Sequence, residues 1–379
     1  LVPVRYDRRQ MVLSVLAVLT AAATGPALMG GHAPYDLSPE GAQATATAVA
    51  QASASTQIEA PSRPTLTSVD YQVTYDGTVY NKTALVYLPH PDAPLSRDTN
   101  FLYLMHGSSQ SAQDMASQLQ PVLEDMTRKG TLDTVVVFTT YYPAPSLDSD
   151  SDDWMLDEPL VTFFTDHELT ETLVPAVEAR YRFGTTPEQV RTSQLMDTRD
   201  HRAFGGFSMG SIMTWDVLED QLPFFSRFMP VSASSWEVDG YQGAEAAQAT
   251  AEHISAEAAQ VGTTSLDLRI YAVVGEKDIE ETQFMDLLVD TLRTSDPELF
   301  TSESLTYTVM PGGGHDLGGF TKAFEDNVSI KIDRSYRITL TSSRGGASPL
   351  KDYPVTLGAT FTILRLPEEP MTPRLSDTR

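Results

Sequence analysis

"RAFGGFSMGSIMTW" (202–215) encloses a serine between two glycines, Gly206-Phe207-Ser208-Met209-Gly210. In isolation such a match is weak, because glycine and serine are common, so its surroundings must decide it. Residues 202–207 form a short apolar run, and the stretch from Met209 to Gln221 has the spacing of a helix. A strand, a sharp turn and a helix in that order hold a serine at the carboxyl end of a parallel strand, where small neighbours permit close backbone approach. A helix that starts directly after Ser208 also offers free N–H groups and the positive end of its dipole to any oxyanion formed there. The competing reading is a tight glycine turn with an inert serine.

The flanking sequence supplies the context. "VDYQVTY" (69–75) and "TALVYLP" (83–89) read as strands, with Asp76-Gly77 giving a hairpin signal. "FLYLMHG" (101–107) and "TVVVFTTYY" (134–142) are nearly continuous apolar runs, as expected of strands buried on both faces. Strands at 202–207, 227–233, 268–276 and 305–310 alternate with helices at 112–128, 166–181, 209–221, 243–260, 281–294 and 317–327. The alternation predicts an α/β fold, a mostly parallel central sheet with helices on both faces.

The 379 residues carry a net charge of −25 and no cysteine. The charge argues against a nucleic-acid partner, since phosphate binding needs clustered Lys and Arg. The absence of cysteine excludes disulfides, thiolate metal sites and cysteine nucleophiles. Arg5, Arg8 and Arg9 precede the short apolar run "MVLSVLAVLTAAA" (11–23), the pattern of a secretory signal peptide or an N-terminal anchor over residues 1–33. Residues 34–66, rich in Ala, Thr and Ser, read as a flexible linker, and 67–333 as the folded domain. Residues 334–379 are basic, with seven Lys and Arg against four Asp and Glu, and read as a tail or small β extension. The acidic run 147–159 alternates aspartates at 148, 150 and 152 like a calcium loop, but has Asp153 where glycine is needed and Pro159 where glutamate is needed. It reads as a solvated loop or lid. Trp154 and Trp236 are candidates to line an apolar pocket, or to be core.

A serine hydroxyl needs a base, and the base an orienting acid. Of the seven histidines, His315 in "MPGGGHDLGGF" (310–320) stands in a glycine-rich loop after the last predicted strand, at the sheet edge where Ser208 is expected. Between them in the chain, "YAVVGEKDIEE" (271–281) places Asp278 just past a buried strand, with Glu276, Glu280 and Glu281 as alternatives. Asp316, which directly follows the histidine, fits less well. Two oxyanion donors are expected: the N–H of Met209, after the serine, and the N–H of Ser108 in "LMHGSSQS" (104–111), where Gly107 lets the backbone bend.

These stretches together, "HRAFGGFSMGSIMTW", the upstream His-Gly, "ELTETLVPAVEARYRF", "GEKD" and "GGGHD", resemble the esterase D-like α/β-hydrolases, and within them the bacterial feruloyl and acetyl-xylan esterases of carbohydrate esterase family one. The resemblance covers about residues 67–330 and departs at Ser211, where many members have a second glycine. It implies a secreted serine esterase with Ser208, His315 and Asp278 as triad, and Ser108 and Met209 as oxyanion donors. No cofactor or metal is implied. The substrate implied is an ester on plant cell-wall polysaccharide, feruloyl in first place. Acetyl-xylan, siderophore esters, acyl glycerols, acyl transfer, or a non-catalytic carbohydrate-binding role on the same fold are the alternatives.

Overall fold

A computed structural model describes residues 63–94, 96–144, 154–236 and 242–327. The chain divides into two units, Leu1–Ala60 and Pro61–Arg379, and every described residue belongs to the second. The export segment expected over 1–33, nearly all of the linker, the aspartates at 148–153 and the tail 334–379 lie outside the described residues.

Eight strands form one sheet: β1 (Thr65–Tyr75), β2 (Thr78–Leu88), β3 (Phe101–Met105), β4 (Val135–Thr139), β5 (Arg202–Phe207), β6 (Arg227–Val231), β7 (Arg269–Gly275) and β8 (Leu305–Met310). Their spatial order is β1-β2-β4-β3-β5-β6-β7-β8. The first two pairings, β1 with β2 and β2 with β4, are antiparallel, and all others are parallel. The β1–β2 turn takes the left-handed conformation at both Asp76 (φ 47°) and Gly77 (φ 72°), which matches the twist of the hairpin. From β3 the chain goes first to β4 on one side and later to β5 on the other. The loops leaving β3 and β5 therefore part in opposite directions and open a crevice at the carboxyl ends of these strands, where α/β sheets bind ligands.

Strands β3 to β7 are buried on both faces, and their alternate residues feed two cores. Phe101, Tyr103 and Met105 of β3 join one cluster, Leu102 and Leu104 the other. Helix α1 (Ala112–Arg128) covers the second face with α7 (Leu317–Asn327), through residues such as Met115, Leu119, Phe320 and Phe324. The first face is covered by α2 (158–183), α4 (Met209–Asp220), α5 (Ala244–Val261) and α6 (Ile279–Ser295), and the short α3 (Thr192–Asp197) precedes β5. This is the sandwich that the strand–helix alternation predicts.

The helix expected at 166–181 is longer and less regular. α2 runs through Glu158–Phe163, Phe164–Leu173, Val174–Glu178 and Ala179–Phe183, with wide π-type turns in its second and fourth parts, and stops at Gly184 (φ 61°). Its inward carboxylates explain why an irregular helix is held here. Glu168 accepts hydrogen bonds from Lys82 Nζ (2.8 Å) and Tyr71 Oη (2.7 Å), and Glu178 from Arg182 Nε (2.7 Å) and from Arg202 Nε (2.6 Å) and Nη2 (2.9 Å). Both pairings are buried. Burial alone would raise the Glu178 carboxyl, but Arg202 and Arg182 hold it below the usual range. Removing Glu178 strands two guanidinium groups in the interior. Glu178→Ala is expected to lower stability by about 3–5 kcal/mol in urea unfolding, whereas a loss under about 1 kcal/mol would show the network to be incidental.

Candidate active site

Ser208 links β5 to α4 with φ 57° and ψ −118°, a left-handed conformation for a residue with a side chain. Its amide is anchored by donating to Val231 O at 3.0 Å. The turn exists because three backbones meet without side chains. A Cβ on Gly206 would lie 2.7 Å from Met105 O, one on Gly210 2.8 Å from His106 O, and one on Gly107 3.1 Å from Ser208 Cβ. Ser211, where the resembled family often has glycine, is buried and donates from Oγ to Ala233 O at 2.7 Å, beside the Trp215 indole N–H on the same carbonyl at 3.0 Å. That hydroxyl thus fastens α4 to the chain after β6.

His315 arrives on the loop after β8. This loop packs directly on the loop after β7: Lys277 N–H donates to Gly313 O (2.8 Å) and Gly312 N–H to Glu276 Oε2 (2.8 Å). A Cβ on Gly275 would stand 2.6 Å from the Gly313 carbonyl carbon, so only glycine allows the approach. The result is a chain of two hydrogen bonds, His315 Nε2 to Ser208 Oγ at 2.9 Å and His315 Nδ1 to Asp278 Oδ2 at 2.8 Å. A carboxylate can only accept, so Nδ1 carries the imidazole proton and Nε2 is left to accept from the serine hydroxyl. The Asp278 bond raises the His315 pKa above its ordinary value, against the opposing effect of partial burial.

Three of the four alternative acids are otherwise engaged. Glu276 holds the Gly312 amide, and Asp316 Oδ1 accepts from Gly319 N–H (2.8 Å) in the first turn of α7. Glu281 accepts from Gln242 Nε2 (2.9 Å) and is pushed up to about 7, by burial first and by Asp278 as well. Four other histidines bond elsewhere: His90 lies 3.5 Å from Asp133, His201 3.0 Å from Asn100 Oδ1 and His253 3.3 Å from Asp220, while His167 packs on the Phe163 ring.

On the other side of Ser208 is the loop leaving β3. His106 is completely buried; its Nδ1 lies 2.8 Å from Gly107 O and its Nε2 2.8 Å from Thr140 Oγ1. The carbonyl can only accept, so Nδ1 is the protonated nitrogen and Thr140 donates to Nε2. Burial pushes the His106 pKa down to about 4 and keeps the ring neutral. With Gly107 C=O held, the planar trans peptide directs Ser108 N–H to the opposite side. Met209 begins α4, so its N–H has no acceptor within the helix. Ser108 follows the carboxyl end of β3 and Met209 that of β5, the two strands that border the crevice.

The sequence reading missed the role of Asp157. It closes the acidic run read as solvated, yet it is 1% exposed and its Oδ2 accepts from Ser108 Oγ at 2.9 Å. The signal available was the change from aspartates to Trp154-Met155-Leu156 just ahead of it. Trp236 is partly buried against the first core and lines a shallow cavity with Thr165, Ile212 and Asp216. Among the described residues no cluster of three or more His, Asp or Glu is arranged to hold a metal ion, and no helix is long and apolar enough to cross a membrane.

Comparisons with known proteins agree with this architecture. The chain is similar to endo-1,4-beta-xylanase Y of Acetivibrio thermocellus, 28% identical over 257 residues that make up 65% of this chain but only 21% of that relative, so it spans about a fifth of it. Its structure is similar to a serine-to-alanine mutant of the feruloyl esterase module from Clostridium thermocellum complexed with sinapinate, with 24% identity, a TM-score of 0.56, and coverage of 70% of this chain and 88% of that one. A ferulic acid esterase from the anaerobic fungus Anaeromyces mucronatus matches at 15% identity and a TM-score of 0.49, over 73% of this chain and 93% of that one. The chain has the α/β-hydrolase fold, and the resemblance read from its motifs is to proteins that share it. Residues 319–379 match a family described as a domain of unknown function (DUF5117), a stretch that begins after His315 in the chain. Its described part, 319–327, lies in α7, where Phe320 and Phe324 are buried beneath the sheet.

The contrast between His106 and His315 is measurable. The His106 imidazole should stay neutral from about pH 5.5 to 8 in a nitrogen-detected NMR titration. His315 should titrate above 6.5, and Asp278→Asn should move its midpoint down. An unmoved midpoint would show that the Asp278 bond does not govern His315.

Proposed function

We propose that this chain is a serine carboxylic ester hydrolase acting outside the cell on esters of plant cell-wall polysaccharide, feruloyl esters in first place. The observation that supports the chemistry is the unbroken hydrogen-bond chain from Ser208 through His315 to Asp278. In this reading Ser208 Oγ attacks the ester carbonyl while His315 Nε2 takes its proton. The N–H groups of Ser108 and Met209 receive the charge that develops on the carbonyl oxygen. The imidazolium then gives its proton to the departing sugar oxygen, leaving an acyl-serine. Water, deprotonated by the same nitrogen, attacks the acyl carbon and releases the acid and free Ser208. Asp278 holds the ring in the tautomer that each step requires.

The substrate class is supported by the motif resemblance and by the described activities of similar proteins, and the extracellular setting by the basic and apolar pattern of residues 5–23. The acidic surface suits a neutral glycan better than a polyanion.

Purified protein should hydrolyse p-nitrophenyl acetate, and Ser208→Ala should lose about 10³-fold or more of that rate. Retained activity would dismiss the triad, and no turnover by the unaltered chain would favour the non-catalytic binding module. In a panel of methyl ferulate, acetylated xylan and triacylglycerol, methyl ferulate should have the highest kcat/KM; preference for either other substrate would replace the feruloyl assignment. The base must be neutral to act, so kcat/KM should rise with pH as His315 deprotonates, with its midpoint above 6.5. Asp278 stabilises the imidazolium, so the residual activity of Asp278→Asn should have its acid limb displaced to lower pH. A limb displaced upward would contradict this assignment.

A further inference from the structure

Beyond β4 the chain passes through Thr140, Tyr141 and Tyr142, whose rings pack on His106 with centroid separations of 5.2 Å for Tyr141 and 5.7 Å for Tyr142. Both phenols converge on Asp157, the last residue of the helical turn Trp154–Asp157. Three donors meet on one carboxylate oxygen, Oδ2: Tyr141 Oη at 2.8 Å, Tyr142 Oη at 3.0 Å and Ser108 Oγ at 2.9 Å. The Tyr142 oxygen in turn accepts from Ser109 N–H at 3.2 Å. Two consecutive residues of the β3 loop are thereby tied to one buried side chain, Ser108 directly and Ser109 through Tyr142.

Such a tether has something to hold. Ser109 adopts φ 56°, a conformation that a residue with a side chain keeps only where its surroundings impose it. Burial raises both tyrosine pKa values, so the phenols remain protonated and able to donate. His106 fastens the carbonyl end of the Gly107–Ser108 peptide; the Asp157 group fastens the side chain and the next amide. The Gly107–Ser108 peptide is thus held from both ends.

We propose that Asp157 is a positioning residue: by gathering Ser108, Tyr141 and Tyr142 on one oxygen, it keeps the Ser108 N–H aimed at the oxygen that becomes charged beside Ser208. The proposal rests on the esterase reading, in which that N–H is an oxyanion donor. A donor displaced from that position costs more in the transition state than in the bound ester, because the full charge exists only in the former.

The test uses the full chain with methyl ferulate. Asp157→Ala is expected to lower kcat about 10²-fold with KM within about threefold of its starting value. Asp157→Asn, which keeps an acceptor oxygen of the same shape, should recover to within about tenfold of the unaltered enzyme. A trifluoromethyl ketone analogue, whose serine adduct carries the oxyanion, should weaken in Ki in parallel with kcat/KM. General loosening of the fold would not single that inhibitor out. Ser108→Ala should slow the parent enzyme severalfold and change nothing further in Asp157→Ala. If Asp157→Ala does not fold by circular dichroism, Tyr142→Phe, which removes one donor, carries the same Ki test. A folded Asp157→Ala with kcat within threefold of the parent, or an unchanged Ki in whichever variant folds, overturns the proposal. Undiminished turnover by Ser208→Ala would overturn the esterase reading and this proposal with it, whereas the failure of Asp157→Ala alone leaves that reading standing.

Discussion

The structure around Ser208 depends on a contact in which nothing but backbone is permitted. At Gly206 and Gly210 the end of β5 and the start of α4 lie against the carbonyls of Met105, which ends β3, and of His106 just after it, closer than any Cβ allows. Because of that approach the chain can turn from strand to helix within one residue, and Ser208 takes the strained conformation that projects its side chain above the sheet. The strain is carried by neighbours on both sides: Val231 O binds the Ser208 amide, and Ser211 and Trp215 share the Ala233 carbonyl. A larger residue at either glycine would separate β3 from α4, and with them the two amides assigned to the oxyanion.

A second constraint is how polar groups are carried in the interior. The face that bears α2 contains Lys82 with Glu168, Glu178 with two arginines, and the ring of His106, all nearly or completely buried. Each is paired, as burial of such groups demands. Lys82 also donates to Thr140 O at 2.7 Å, and Thr140 Oγ1 meets His106. The wide turns of α2, the edge of β4 and the loop after β3 are therefore joined by directional bonds rather than by apolar packing alone. Ion pairs of this kind add little net stability but penalise any alternative arrangement, which suits a loop whose amide is proposed to meet an oxyanion.

Much of this was legible in the sequence for physical reasons. Strands buried on both faces write short unbroken apolar runs, so β3 through β7 could be located within a few residues, and Asp76-Gly77 announced its own turn. Ser208, His315 and Asp278 were recoverable because each follows a strand of a parallel sheet, and all such ends lie on one edge. The partners of buried charges were not recoverable. Glu178 and Arg202 are 24 positions apart, and no local pattern distinguishes them from surface residues. Asp157 was misread for the same reason: composition describes the average of a run, and the one aspartate that turns inward does so because Tyr141, Tyr142 and Ser108 arrive from other parts of the chain. His106 shows in the sequence only as half of a His-Gly pair, since its task is set by a carbonyl and by Thr140, and spacing shows neither.

The central claim is that Ser208 forms a covalent acyl intermediate. Mixing the enzyme with excess methyl ferulate, quenching in acid within milliseconds and measuring intact mass tests this most directly. The account predicts a burst of methanol equal to the enzyme concentration, and a feruloyl adduct that peptide mapping locates on Ser208. Product released in a single phase by an enzyme that never carries the acyl group, or an adduct on a different residue, would contradict it.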